Sequence, residues 1–156
     1  MPYLIDGNNL MARRIGFKLG LEEARRRLLE ELAQFALIKR VRLSVVFDGA
    51  PNPFFPDGAK YRGITVFYAR RGSNADERIK RLVNRSRERR TLIVVTSDRA
   101  LAQYVRRCGA QTISAQEFIG KMDEARSIAE EEHRELQDDI RAWLRYFGVE
   151  PEDDAP

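Results

Sequence analysis

The chain has 156 residues and a mass of 18.1 kDa, one domain's worth of sequence, which excludes two full-sized domains. Hydrophobic residues make up 43% and charged residues 33%, a balance that excludes a disordered chain, and no apolar run is longer than a short strand, which excludes a membrane-spanning helix. Residues 1–120 hold 23 Lys and Arg against 12 Asp and Glu, and residues 121–156 hold 5 against 12, so the net charge of +4 combines a basic body with an acidic tail.

In chain order, residues 3–5, 43–47, 64–68, 92–95 and 112–113 read as strands, being rich in Val, Ile and aromatics and bounded by Gly, Asp or Ser. The first is followed by an Asp6-Gly7 turn and a loop carrying Arg13, Arg14 and Lys18. A helix over residues 21–38 is predicted from Leu21, Ala24, Leu28, Leu32, Phe35 and Ala36 at three- and four-residue spacing. A long loop separates the second and third strands. A helix from Ala75 carries Ile79, Leu82 and Val83, and another carries Leu101, Ala102, Val105 and Cys108. Ser114 and Glu117 have capping-box spacing and open a short helix that Gly120 stops. Residues 123–146 form a last helix with Ile128, Leu136, Ile140, Trp143, Leu144 and Phe147 as a stripe packed on the body. The expected organisation is a domain over 1–120, an acidic amphipathic helix over 121–148 and a frayed tail over 149–156.

Alternation of continuous apolar strands with helices predicts a mainly parallel sheet with helices on both faces. In such sheets ligands bind just past the carboxyl ends of the strands. Asp6 follows the first strand, Asp48 the second and Asp98 the fourth, and Asp76 opens the helix after the third. Singly, each has a structural role: Asp6-Gly7 and Asp48-Gly49 are turn dipeptides, Ser73-Asn-Ala-Asp76 fits a capping box, and Ser97 or Asp98 caps the next helix. Jointly, a parallel sheet gathers them at one edge, where mutual repulsion calls for a cation. Oxygen-only ligands select Mg²⁺ or Mn²⁺, which polarise phosphodiesters and acidify a bound water. The basic body suits a polyanion, foremost nucleic acid.

Five strings in this order resemble the NYN domains of the PIN-like nuclease superfamily, most of all the YacP-like branch: Tyr3-Leu-Ile-Asp6-Gly-Asn-Asn9, Val45-Val-Phe-Asp48-Gly49, Gly72-Ser-Asn-Ala-Asp76, Val94-Val-Thr-Ser-Asp98, and Cys108-Gly-Ala110 before Ile113-Ser and Glu117-Phe118. The resemblance spans residues 3–119. It implies an α/β, three-layer PIN-like (NYN) fold with a central parallel sheet, a carboxylate cluster binding Mg²⁺ or Mn²⁺, and endoribonuclease activity, on mRNA associated with the ribosome in the YacP-like branch. Asp6, Asp76 and Asp98 match the family's acids, and Asp48 its acid after the second strand. The chain departs from many PIN-type proteins in having Ala100 where they carry a further acid, which weakens the hold on a second metal. The alternative within the same fold is a module that binds RNA or ribosomes without cutting.

Asn8 or Asn9 is a candidate to orient a metal-bound water or a phosphate oxygen, with a turn residue as the alternative reading of Asn8. Thr96 and Ser97 are candidates to donate to phosphate or hold a neighbouring carboxylate. Arg13, Arg14, Arg70, Arg71, Lys80 and Arg81 are the candidate RNA contacts. The loop of residues 51–61, with Phe54, Phe55 and Tyr61, either stacks bases or caps the core. Other chemistries lack their residues. There is no phosphate-cradling Gly motif, His133 lies far from the strand ends, and a phospho-acceptor receiver needs a second acid beside Asp6 and a Lys where Ser114 stands. With Cys108 alone and no apolar leader after Met1, a reducing cytoplasm is expected.

Overall fold

A computed structural model of the chain describes residues 2–69 and 72–149. Among these residues the order is β1 (Tyr3–Asp6), α1 (Gly7–Arg14), α2 (Leu21–Lys39), β2 (Leu43–Phe47), β3 (Ala59–Tyr61), β4 (Ile64–Tyr68), α3 (Ala75–Arg85), β5 (Ile93–Val95), α4 (Arg99–Arg107), β6 (Gln111–Ile113) and α5 (Ala115–Tyr146). The strands form one sheet in the order β3-β4-β2-β1-β5-β6, parallel except for the β3–β4 pair. It is the three-layer α/β architecture expected. α2 and α5 cover one face through Leu28, Leu32, Phe35 and Phe118, with α1 at their side, and α3 and α4 cover the other through Ile79, Val83, Leu101 and Val105. Tyr3, Phe35 and Phe118 meet ring to ring at 5.0–5.9 Å between centroids. β1 lies at the centre, with β2 on one side and β5 on the other, so the chain order reverses across it. In open parallel sheets the binding crevice lies at such a reversal, which here is the carboxyl end of β1.

Three elements differ from the expectation. The Asp6-Gly7 pair is not a turn into a loop: α1 begins at Gly7 with no connecting residue. A Cβ on Gly7 would stand 2.7 Å from Phe47 Cδ1 and 2.8 Å from the Val46 carbonyl oxygen. Only glycine lets the helix start this close to β2. β3 lies in the stretch read as loop; it is three residues long, sits at the sheet edge and pairs only with β4, too short for a periodic signal.

The third difference concerns the C-terminal region. α5 is one unbroken helix of 32 residues, so neither a stop at Gly120 nor a boundary at 120/121 exists. Glycine costs about 1 kcal/mol in a helix interior, and Phe118 and Met122, buried on either side of Gly120, anchor the helix across it. Packing extends through Ala125. Ile128, Leu136, Ile140, Trp143 and Phe147 are exposed, so the stripe expected on the body is not covered by it. The expected tail falls largely on residues 150–156, outside the described residues. No helix among the described residues is long and apolar enough to cross a membrane.

Candidate active site

Asp6 is the last residue of β1 and is only 6% exposed. Its Oδ2 accepts a hydrogen bond from Thr96 Oγ1 at 3.1 Å, and the same Thr96 oxygen accepts from the Asp98 amide at 3.1 Å. Burial raises the Asp6 pKa from 3.8 to about 6, with the nearby charges of Asp76 and Asp48 adding to the rise and the Thr96 hydroxyl opposing it. This strand end is therefore a place where a lone negative charge is unfavourable.

The remaining acids arrive from neighbouring elements. Asp48 follows β2, and its Oδ1 accepts from the Ala75 amide at 2.7 Å at the start of α3. Asp98 is the N-cap of α4, its Oδ1 accepting from the Ala100 and Leu101 amides at 2.9 and 3.1 Å. Asp76 was expected to share a capping box with Ser73, and it does not. Asn74 is the cap of α3, accepting from the Glu77 amide at 3.0 Å. The one-residue shift leaves the Asp76 carboxyl free of capping, and burial, then the Asp98 charge, raises its pKa.

Two asparagines and a serine brace these strand ends. Asn8 Oδ1 accepts from the Asp48 amide at 3.0 Å and Asn9 Oδ1 from the Ser97 amide at 3.1 Å, so the first turn of α1 ties the end of β1 to the ends of β2 and β5. Ser97 Oγ accepts from the Ala115 amide at 3.1 Å, fixing the start of α5. Asn8 is thus a positioning residue through its carbonyl oxygen, in a helix rather than the turn read from the sequence.

The charges of Asp76 and Asp48 act on Asp6 and those of Asp98 and Asp48 on Asp76, and among the described residues none of the four forms an ion pair. Nor do any three Asp, Glu, His or Cys side chains among those residues already stand at ligand spacing around one point. Asp6, Asp48 and Asp98 each commit one oxygen to a protein donor and keep the other. The donor set is all oxygen, carries unneutralised charge and includes a buried acid whose ionisation is resisted. Those properties fit a hard divalent cation.

The YacP-like NYN domain family model matches residues 3–145. The chain belongs to that family. It is a family generally of nuclease type. The fold of this NYN domain is similar to the crystal structure of Rae1 (YacP) from Bacillus subtilis, with a TM-score of 0.75 and 22% identity over 95% of this chain and 88% of that one. A point mutant of Rae1 aligns with a TM-score of 0.73 and 23% identity over 88% and 83% of the two chains. A search of curated proteins returns no match.

The basic residues of the NYN domain divide. Arg14, read as an RNA contact, is instead a tie between helices: its Nε lies 3.1 Å from Glu31 Oε2 of α2 and its Nη2 2.7 Å from Asp123 Oδ1 of α5, which together raise its pKa. Arg13, beside it, is exposed. Lys80, one turn below Asp76, pairs with Glu77 at 3.5 Å and lies over the Tyr104 ring, while its charge partly offsets the rise at Asp76. Arg81 donates to the Glu77 carbonyl and Ser73 Oγ at 3.3 Å each, at the lip of the crevice. Arg70 and Arg71 lie outside the described residues.

Sequence reasoning missed Arg25. It is 5% exposed, donates through Nη1 to the Ala50 carbonyl at 3.0 Å and through Nη2 to the Asp48 carbonyl, and lies 5.2 and 5.3 Å from the Phe47 and Tyr68 ring centroids. The signal was its position: Arg25 falls on the same stripe of α2 as Leu21, Leu28 and Leu32, where a charge has no business unless the core gives it partners.

Proposed function

We propose that this NYN domain is a metal-dependent endoribonuclease that hydrolyses phosphodiester bonds of RNA. The observation that carries the reading is the buried Asp6 carboxyl, held at about pKa 6 beside Asp48 and Asp76 at the point where the sheet order reverses. Asp6, Asp48, Asp76 and Asp98 are the residues that would hold Mg²⁺ or Mn²⁺. A divalent cation supplies Lewis-acid polarisation of the phosphodiester and an acidified water.

The protein's own residues do the rest. Thr96, Asn8 and Asn9 hold the acids in register before substrate arrives, so little reorganisation remains for the reaction. Arg13, Lys80 and Arg81 are the basic residues proposed to meet the RNA backbone, together with Arg70 and Arg71. RNA on the ribosome, in a reducing cytoplasm where Cys108 stays a thiol, is the setting we propose.

A second reading, an RNA-binding module that does not cut, is favoured by one observation: no three ligands stand at metal spacing among the described residues. Incubation of single-stranded and ribosome-bound RNA with Mn²⁺ or Mg²⁺ separates the two. The nuclease reading expects internal cleavage that EDTA stops and that Asp6→Asn and Asp76→Asn reduce at least about 100-fold, with the fold retained by circular dichroism. Salt-sensitive RNA binding without products at any metal concentration supports the module instead.

A further inference from the structure

A hollow of about 420 Å³ lies between the start of α2 and the loop of residues 51–56, and neither the acids nor the basic lip accounts for it. Phe47 and Tyr68 form its floor. These are the last residues of β2 and β4, so the hollow opens on the same sheet edge as the carboxylates. Their rings lie 6.1 Å apart, and the Arg25 guanidinium lies over both. Arg25 also donates to the Asp48 carbonyl, so one planar side chain belongs both to the hollow and to the support of a candidate metal ligand.

The rim is aromatic too. Phe54 is 86% exposed, yet it does not hang on a slack loop: Asn52 Oδ1 accepts from the Phe54 amide at 2.9 Å and the Asn52 carbonyl from the Phe55 amide at 3.1 Å. The Phe55 ring stands edge-on to Tyr61 at 5.3 Å, which fixes the loop from its far side. A large apolar ring held in water by a closed turn is a surface that a flat partner would cover. Arg25 has no carboxylate partner among the described residues, and its Nε is buried without an acceptor, so the guanidinium keeps one unmet donor beside the hollow.

We propose that this hollow is a nucleobase pocket that seats an unpaired base of the RNA strand next to the carboxylate cluster, a proposal that rests on the RNA reading above. Phe54 on the rim offers an open π face to any base, above a floor where the Arg25 guanidinium covers Phe47 and Tyr68, and the volume falls within the roughly 300–1,000 Å³ of small-molecule sites. Glu22, exposed on the rim and without an ion pair among the described residues, accepts from an exocyclic amino group, whereas Glu23 is held by Arg26 and Arg27. Adenine, cytosine and guanine have such a group and uracil does not, so the pocket disfavours uracil.

The test is the binding of short single-stranded RNA in EDTA, where no cutting occurs, followed by fluorescence anisotropy. Phe54→Ala is expected to weaken binding about tenfold, replacement of one nucleotide by an abasic unit to weaken it similarly, and the combination to cost no more than either alone. The salt slope stays as in the unaltered protein, because no phosphate contact is removed. Glu22→Gln is expected to narrow the gap between an amino-bearing base and uracil. Wild-type affinity in Phe54→Ala, fully additive losses, or no RNA binding at all would overturn the pocket. The nuclease reading is scored separately on the same oligomers in Mn²⁺: uncut RNA with the base dependence intact defeats that reading and leaves the pocket standing, and cut RNA without base dependence does the reverse.

Discussion

Thr96 Oγ1 lies 3.1 Å from Asp6 Oδ2 and 3.1 Å from the Asp98 amide nitrogen, donating to one and accepting from the other. A single hydroxyl therefore joins two acids 92 residues apart in the chain, one at the end of β1 and one at the cap of α4. The role needs a donor and an acceptor on one atom, which a hydroxyl supplies.

Thr96→Val keeps the shape and removes the hydroxyl. It leaves a buried carboxyl oxygen and an amide without their partner and is expected to destabilise the fold by about 1–3 kcal/mol. Because the hydroxyl lowers the Asp6 pKa, its loss also moves the Asp6 titration upward. Urea unfolding and a carboxyl NMR titration check the two parts. Unchanged values in both would mean that the hydroxyl does not hold Asp6.

In EDTA, stability falls as pH rises through the Asp6 transition. The unfolded chain releases this proton near 3.8 and the folded protein near 6, so between those values the folded state holds a proton that the unfolded state lacks. The contribution is complete below the lower value, declines up to about pH 6 and stays flat above it; Asp76, shifted the same way, adds to the slope. Asp6→Asn removes the Asp6 part and is expected to be about 3 kcal/mol more stable than the unaltered protein at pH 7. Denaturant midpoints measured from pH 4 to 8 check it, and Mn²⁺ is expected to flatten the curve of the unaltered protein.

How far the sequence was legible depended on the length of each signal. The apolar runs of β1, β2, β4 and β5 and the stripe of α2 each span enough residues to carry their own period, and with them came the parallel sheet and the edge at which Asp6, Asp48, Asp76 and Asp98 lie. The start of α1 was hidden because Asp6-Gly7 is written like a turn; what makes it a helix start is the approach of Phe47, a contact 40 residues away. The Asn74 cap looked like a Ser73 cap because both residues suit the role and only the backbone decides between them. Arg14 and Arg25 looked like ordinary basic residues of the surface, since their partners Glu31, Asp123 and the Asp48 carbonyl come together only in three dimensions.

Two glycines make a contrasting pair. Gly7→Ala drives a methyl group against the Phe47 ring and the Val46 carbonyl, and since one of these is backbone it cannot swing away; a loss of about 1–3 kcal/mol is expected, with weakened RNA cleavage as the first turn of α1 and Asn8 shift. Gly120→Ala meets open space inside a helix and is expected to gain about 0.5–1 kcal/mol with cleavage unchanged. Thermal unfolding of the two variants beside the unaltered protein checks both signs.

Anomalous diffraction from crystals soaked in Mn²⁺ tests the central claim most directly. A manganese peak within about 2.0–2.3 Å of oxygens from Asp6 and at least two of Asp48, Asp76 and Asp98, absent in crystals of Asp6→Asn, is the predicted result. A peak on other side chains, or none at this strand edge at saturating Mn²⁺, would contradict it.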